Sequence, residues 1–339
     1  MQTHRNNDEP VRIGISHGDF NGIGYEVILK TFSDTRIMDH LTPILYGQAK
    51  ILSYYKKNFG LNDFTYNLIR DVRQAQPRKF NVINISDDEY KIECGLSTPT
   101  AGALALRSLQ MAMNDIRDGN IDALVTAPIN KENIQSEEFK FHGHTEFLTS
   151  YFSGHESLMF MVWDKLRIGT LTNHIPIADV AASLTPKLIL DKLRVMKQSL
   201  RSDFGITMPK IAVLSLNPHA GDGGLLGQEE NSVLVPTIAE ANRQDILAFG
   251  PFPADGFFGA GTWRRFDAVL AMYHDQAMLP FKLLAMEEGV NYTAGLPIVR
   301  TSPAHGTAYD IANKNMASPD SFRHAIYLAV DVVRNRASL

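Results

Sequence analysis

Short apolar segments alternate along this chain with longer segments in which apolar residues recur at helical spacing. Residues 11–16 (VRIGIS), 42–47, 80–85 and 122–127 are short and rich in Val, Ile and Leu, which is typical of strands. Residues 100–119 have apolar side chains on one helical face and end at a glycine, which predicts a helix. The alternation therefore predicts an α/β fold in which helices cover a sheet.

The region after residue 150 has a different strand pattern. Within residues 158–173, two apolar runs are separated by only the pair DK, which leaves no room for a crossover helix and predicts an antiparallel hairpin. The sheet is therefore expected to be mixed. A helix over residues 185–205, strands over 210–216 and 266–273, and a C-terminal helix complete the predicted elements.

Composition limits the class of protein. A chain of 339 residues is long for one hydrophobic core, so two domains are expected, with a boundary near residue 130. The net charge of −4 gives no reason to expect a nucleic-acid or acidic-membrane partner. Cys94 is the single cysteine, which excludes an intrachain disulfide and fits a reducing compartment. No run has the length of a membrane helix, and the polar N-terminus does not resemble a signal peptide, so a cytoplasmic location is expected.

Three apolar runs each end near a histidine: IGTLTNH at His174, VLSLNPH at His219 and AVLAMYH at His274. Ligands of open α/β sheets bind beyond the carboxyl ends of the strands, and three neutral imidazoles can hold a catalytic divalent metal. The alternative is that each is an ordinary polar loop residue at a strand end. Three histidines in the same topological position favour the metal site.

Two further groups of residues suit an anionic substrate. His144 and Thr145 stand where a helix begins, so they either meet an anion or, for Thr145, cap the helix. Lys282, Asn291 and Arg300 lie within twenty residues of one another and supply two cations and an amide. A phosphate or a carboxylate would suit them, and the alternative is that both cations are solvated surface charges.

Two glycine-containing segments stand where a nucleotide could bind. Residues 16–26 (SHGDFNGIGYE) lie between a strand and a helix, but their spacing is G-x-x-x-G-x-G, so a dinucleotide fingerprint is rejected there. This segment is either a turn that lines a cleft or a plain strand-to-helix turn. Residues 305–312 (HGTAYDIA) predict a turn followed by a capped helix start that could accept a nucleotide.

Six ordered motifs between residue 11 and the C-terminal helix resemble the family of 4-hydroxythreonine-4-phosphate dehydrogenases, called PdxA. They are VTAPINKENI, GHTEFL, LNPHAGDGGLLGQEE, GPFPADGFF, YHDQAMLPFK and GLPIVRTSPAHGTAYDIA. The resemblance implies the fold of the isocitrate and isopropylmalate dehydrogenases, with two α/β/α domains, a mixed sheet and an active-site cleft between the domains. The implied domains are residues 1–130 with 300–339, and residues 131–299, which carry the metal ligands and the dimer interface.

The resemblance also implies roles for particular residues. The metal ligands are His174, His219 and His274. The substrate contacts are His144, Thr145, Lys282, Asn291 and Arg300. The loop around the adenosine part of NAD contains His305, Gly306, Thr307, Ala308 and Asp310. Asp275 is expected to orient a metal-bound imidazole, and the general base is either Lys282 or a water on the metal.

The implied reaction is the NAD-dependent oxidation and decarboxylation of 4-phosphooxy-L-threonine to 3-amino-2-oxopropyl phosphate in pyridoxal 5'-phosphate (vitamin B6) biosynthesis. The metal would be zinc, magnesium, manganese or cobalt, and the enzyme a homodimer with its active site at the subunit interface. We expect His174 and His219 from one subunit and His274 from the other. The alternatives are a dehydrogenase of 4-phospho-D-threonate or 4-phospho-D-erythronate and, in a different class, a sugar-phosphate sensor. The departures from the family pattern at Phe20, Asn21, Tyr25 and His142 leave the metal and phosphate contacts in place but leave the fine substrate preference open.

Overall fold

The computed structural model describes residues 9–141 and 143–339. His142 lies outside the described residues, so its predicted effect on substrate preference stays a prediction. The strands are β1 (Val11–Ser16), β2 (Leu41–Gly47), β3 (Asn67–Ile69), β4 (Asn81–Asn84), β5 (Ala123–Thr126), β6 (Leu158–Trp163), β7 (Leu166–Thr170), β8 (Ile211–Leu214), β9 (Ala248–Phe252), β10 (Ala268–Ala271), β11 (Val290–Ala294) and β12 (Val299–Pro303).

The helices alternate with these strands through most of the chain. They are α1 (Gly24–Ser33), α2 (Ala49–Asn58), α3 (Pro99–Arg117), α4 (His144–Tyr151), α5 (Ile177–Ser183), α6 (Pro186–Ser202), α7 (Val235–Arg243), α8 (Ala254–Gly259), α9 (His274–Ala285) and α10 (Asp320–Ala337). Within the described ranges, no helix is both long and apolar enough to cross a membrane.

Local sequence explains where two of the three longest helices begin. The side chain of Thr98 accepts a hydrogen bond from the backbone N–H of Ala101, and Pro99 occupies the first turn of α3, where its missing N–H leaves no bond unmade. Thr185 caps α6 in the same way, with Pro186 in its first turn. These two helices and the C-terminal helix lie where the sequence predicts them.

The first compact unit comprises Met1–Leu148 and Ile298–Leu339. Its strands run in the order β3-β4-β2-β1-β5-β12, and every neighbouring pair is parallel. Since β1, β5 and β12 are neighbours, the segments that follow their carboxyl ends meet at one edge of the sheet. The unit continues past residue 130 to Leu148, and in this extension Phe139, Phe141 and Phe147 pack ring against ring.

The second compact unit comprises Thr149–Pro297, and its strands run in the order β11-β6-β7-β10-β8-β9. The pairs β11–β6 and β6–β7 are antiparallel, whereas β7, β10, β8 and β9 are parallel neighbours. This unit is the mixed sheet that the hairpin at residues 158–173 predicts. The division into domains at residues 130 and 300 stays a prediction.

Candidate active site

The three histidines follow three neighbouring parallel strands of the second unit. His174 lies four residues beyond the end of β7, His219 five beyond β8, and His274 begins α9 just after β10. Because β10 pairs in parallel with both β7 and β8, the three carboxyl ends lie at the same edge of the sheet. The rings of His174 and His274 are 5.6 Å apart between centroids.

Hydrogen bonds beyond the sheet hold these strand ends together. The hydroxyl of Thr172 donates to Met272 O (2.8 Å), which joins the segment after β7 to the segment after β10. Gln276 joins the segment after β10 to the segment after β8, since its Oε1 accepts from Met272 N (2.7 Å) and its Nε2 donates to Ser215 O (2.7 Å). The backbone on either side of His274 is therefore tied to both neighbouring strands.

His219 lies in a turn of unusual backbone conformation. His219, Ala220 and Asp222 have φ values of 53°, 53° and 45°, in the left-handed region that disfavours residues with a side chain. Each such residue costs on the order of 1–3 kcal/mol and persists only where surrounding contacts fix it. The buried carboxylate of Glu230 fixes the backbone that leads into this turn, because its Oε1 accepts from the backbone N–H groups of Leu216 and Asn217 (2.8 Å each).

The donor chemistry of these histidines fits a divalent metal. Asp275 Oδ1 lies 2.7 Å from His274 Nδ1, which places the ring proton of a neutral imidazole on that nitrogen and leaves the Nε2 lone pair for a metal. His174 and His219 are exposed, and 37% of the His274 side chain is exposed, so a ligand can reach all three. Within residues 9–141 and 143–339 of the single chain, no three His, Cys, Asp or Glu side chains converge closely enough to hold a metal.

In the first unit, a buried arginine and a histidine are the candidates for binding an anion. Arg300 on β12 is only 2% exposed, and its Nη2 donates to Thr126 Oγ1 (2.7 Å) at the end of β5. Burial lowers the pKa of Arg300 to about 9, and the carboxylate of Glu146 opposes this shift. Since neutral pH lies below that value, the guanidinium keeps its positive charge. It is not the solvated surface cation that was the alternative.

His144 is neutral in this environment. Burial lowers its pKa well below the ordinary value, and the positive charges of Arg300 and Lys131 act in the same direction. Its Nε2 is buried and has no hydrogen-bond partner in the described part of the chain. A ligand hydroxyl or a protonated phosphate oxygen could supply that bond. The prediction that Thr145 caps the helix is wrong, because α4 begins at His144 and Thr145 lies inside its first turn.

Lys282 and Asn291 belong to the second unit. Lys282 is exposed in the last turn of α9. Asn291 is half-buried on β11, and its Oδ1 is shielded from solvent without a protein partner among the described residues. The structure therefore leaves both available to a ligand, and their predicted contacts with the substrate stay predictions.

The segment HGTAYDIA follows the end of β12 and differs from its prediction. Only Tyr309–Ile311 form a short 3-10 turn, so the helix start expected at residues 305–312 is wrong. Ala308 cannot be part of a right-handed helix, since its φ of 44° lies in the left-handed region.

The same segment retains features that fit a nucleotide cofactor. The Nε2 of His305 is buried without a partner in the described ranges, and burial lowers the pKa of this imidazole, which is therefore neutral. Gly306 is exposed, and a Cβ there would meet no atom within 4 Å. Thr307 and Ala308 are half-buried, and Asp310 is exposed. An unpaired ring nitrogen beside open space suits a hydroxyl or phosphate oxygen of NAD.

Sequence reasoning missed Glu230, Gln276 and Asp19. Asp19 is fully buried in the glycine turn after β1, and its carboxylate accepts from three separate segments. Glu230 and Gln276 stand in the motifs GQEE and YHDQ, but nothing local to either motif indicates a hydrogen bond to the backbone after β8.

Comparison with known proteins assigns the family. Residues 39–329 match the family model described as "Pyridoxal phosphate biosynthetic protein PdxA". A 4-hydroxythreonine-4-phosphate dehydrogenase of Bacteroides thetaiotaomicron is 52% identical over 97% of this chain and 90% of its own length. One of Prosthecochloris aestuarii is 40% identical over 94% of this chain and 96% of its own.

Solved structures agree with this assignment. The 4-hydroxythreonine-4-phosphate dehydrogenase of Klebsiella pneumoniae superposes with a TM-score of 0.81 at 33% identity, covering 96% of this chain and 98% of that one. A putative enzyme of the same name from Salmonella typhimurium gives a TM-score of 0.81 at 32% identity, over 95% and 99% of the two chains. With a family model that matches most of its length and relatives aligned nearly end to end, the chain belongs to the PdxA family.

Proposed function

We propose that the chain is a 4-hydroxythreonine-4-phosphate dehydrogenase that oxidises and decarboxylates 4-phosphooxy-L-threonine with NAD. The observation that carries the proposal is that three neighbouring parallel strands each end near a histidine, in a chain whose relatives bear this enzyme's name. The product is 3-amino-2-oxopropyl phosphate, which would serve pyridoxal 5'-phosphate biosynthesis, in agreement with the description of the family.

The chain's own residues have separate tasks in the reaction. His174, His219 and His274 would hold the divalent metal, which is zinc, magnesium, manganese or cobalt, and Asp275 orients the His274 ring. When bound, the metal supplies Lewis acidity that favours loss of the C3 hydroxyl proton and later of the carboxyl group. NAD would be held by residues of the segment after β12, namely His305, Gly306, Thr307, Ala308 and Asp310, and would supply the acceptor for the hydride of C3.

Charge on the substrate is matched by buried and exposed cations. In the first unit, Arg300 binds an anionic oxygen of the phosphate or carboxylate, and His144 and Thr145 contribute hydrogen bonds. In the second unit, Lys282 and Asn291 are the proposed contacts. Because the Arg300 guanidinium is already desolvated and held by Thr126, it would orient the substrate with little rearrangement of protein or solvent.

The proton of the C3 hydroxyl must leave as the hydride leaves. Lys282 Nζ is our candidate to accept it, and a water on the metal would be the alternative. Loss of carbon dioxide then leaves a carbanion at C2 that takes up one proton, so that substrate and NAD⁺ give product, carbon dioxide and NADH.

We also propose a cytoplasmic homodimer whose active site lies at the subunit interface. Helix α9 begins at His274 and exposes Leu279 (71%) and Leu283 (87%), and the residue after its end, Met286 (51%), continues the same helical spacing on one side. Exposed apolar stripes of this kind mark interaction surfaces. A partner seated there would adjoin the histidines at the sheet edge.

Subunit mixing tests the shared site. If one chain supplies His174 and His219 and its partner supplies His274, then His174→Ala and His274→Ala homodimers are both inactive, but a mixed dimer has one intact site. Random exchange makes about half of the dimers mixed, so about a quarter of wild-type activity should return. Inactive mixtures, with exchange verified by native mass spectrometry, would mean that the histidines act within one chain.

The reaction itself is tested by NADH formation. Wild-type protein is expected to reduce NAD with 4-phosphooxy-L-threonine far faster than with 4-phospho-D-threonate or 4-phospho-D-erythronate. Preference for either of the latter would assign a different substrate on the same scaffold. Binding of these compounds without NADH formation would identify a sensor instead.

A further inference from the structure

Asp19 is a buried carboxylate to which the reaction assigns no role. It lies in the glycine turn between β1 and α1 and is completely inaccessible to solvent. Its Oδ1 accepts from Asn21 N (2.9 Å), and its Oδ2 accepts from Asn133 Nδ2 (2.7 Å) and from the hydroxyl of Tyr309 (2.7 Å). Three segments that follow β1, β5 and β12 are thus joined at one side chain.

The bond to Tyr309 is the longest-range of these links. Burial and the Asp19 carboxylate together raise the pKa of the Tyr309 phenol to about 12, so the hydroxyl stays protonated and donates to Asp19. A hydrogen bond to an ionised acceptor is about twice as strong as one between neutral groups. Tyr309 stands between Ala308 and Asp310, which we assign to the NAD loop.

The glycine turn contacts the same segment at a second point. The backbone N–H of Ile23 donates to Thr307 O (3.0 Å). A Cβ on Gly22 would lie 2.7 Å from that oxygen, so the backbones approach as closely as a glycine allows. The two contacts bracket Ala308, whose left-handed φ of 44° needs such support from its surroundings.

We infer that Asp19 is a positioning residue that holds residues 305–311 in the conformation that binds NAD. This inference rests on the proposed function, since it takes the segment to be the NAD site. A loop held in its binding conformation loses less conformational entropy when the cofactor binds, so cofactor affinity depends on the anchor. Asp19 itself need not touch the cofactor.

Tyr309→Phe removes the hydroxyl that donates to Asp19 and that also bonds to the side chains of Asn130 and Ser97. We expect KM for NAD to rise about tenfold, with kcat and KM for the phosphorylated substrate within about twofold of wild type. Asp19→Asn should also raise KM for NAD. The effect of the double variant should be smaller than the sum of the two single effects, because the hydrogen bond between Tyr309 and Asp19 is disrupted in both single variants.

Tyr46→Phe is the matched control. The Tyr46 hydroxyl donates to Asp115 Oδ2 (2.7 Å) in the same unit, and no residue of the 305–311 segment takes part in that bond. The control removes an equivalent phenol–carboxylate bond, so it should lower Tm to a similar extent while KM for NAD stays at the wild-type value. Equal KM values for NAD in Tyr309→Phe, Tyr46→Phe and wild type would overturn the inference.

Hydrogen exchange separates this inference from the proposed function. Without cofactor, Tyr309→Phe should exchange amide hydrogens of residues 305–311 faster than wild type, and Tyr46→Phe should not. Unchanged exchange in that segment would refute the anchor whatever the enzyme's activity. If wild type fails to reduce NAD while the exchange difference is found, the proposed function fails and the anchor stands without its assignment to NAD.

Discussion

Removing the divalent metal is expected to abolish NADH formation, and His274→Ala is expected to lower kcat/KM by on the order of a thousandfold or more. That factor corresponds to about 4 kcal/mol, which is within the several kcal/mol that a Lewis-acid metal contributes to a transition state. Chelation followed by dialysis should leave wild type inactive. Addition of zinc, magnesium, manganese or cobalt should restore wild type but not His274→Ala.

His324→Ala provides the control for this experiment. His324 is an exposed histidine on α10 that packs edge-on against Tyr327, with ring centroids 6.5 Å apart. Its replacement should leave both activity and metal content unchanged. Full activity of a preparation from which metal has been removed, verified by elemental analysis, would refute the metal site.

Arg300→Ala is expected to lower kcat/KM for the phosphorylated substrate by about 2 kcal/mol or more, which is at least about thirtyfold. Arg300 is buried, positively charged at neutral pH and positioned by Thr126, so its loss removes an ordered and poorly solvated cation. KM for NAD should change little. The measurement is steady-state kinetics with each substrate varied in turn.

Arg167→Ala tests whether loss of another arginine that is shielded from solvent, here a half-buried one, would have the same effect. Arg167 on β7 stacks over the Phe204 ring at 4.6 Å and donates to Asp267 O, just before β10 begins. It is thus at the opposite end of these strands from the histidines. We expect Arg167→Ala to lower Tm without a comparable loss of kcat/KM. An unchanged kcat/KM in Arg300→Ala would remove Arg300 from the substrate site.

Strand periodicity and chain order were sufficient to predict much of the fold. The predicted strand at residues 11–16 coincides with β1. All of its residues except Arg12 are buried in the parallel sheet, which agrees with their apolar character. The hairpin is confirmed as β6 and β7. By contrast, β12 contains Arg300, Thr301 and Ser302, which are polar yet buried, so apolar patterning gives no sign of it.

The histidines could be located from sequence because each follows an apolar strand, and the structure indeed places those strands side by side. The residues that support the site could not. Gln276 bonds to Ser215 across 61 residues, and Tyr309 bonds to Asp19 across 290. Such contacts depend on tertiary packing, for which a single sequence has no local signal. The prediction of a helix at residues 305–312 was wrong for a similar reason. The backbone of this segment is held by contacts with the turn after β1, which the local sequence does not indicate.

The most direct test is to measure NADH and carbon dioxide together as wild-type protein with bound metal consumes 4-phosphooxy-L-threonine. Oxidation at C3 followed by decarboxylation predicts equal molar amounts of the two products, both lost on chelation. NADH without carbon dioxide would mean that the chain oxidises its substrate without decarboxylation. Absence of NADH with this substrate, in protein whose metal content is verified, would contradict the proposed function.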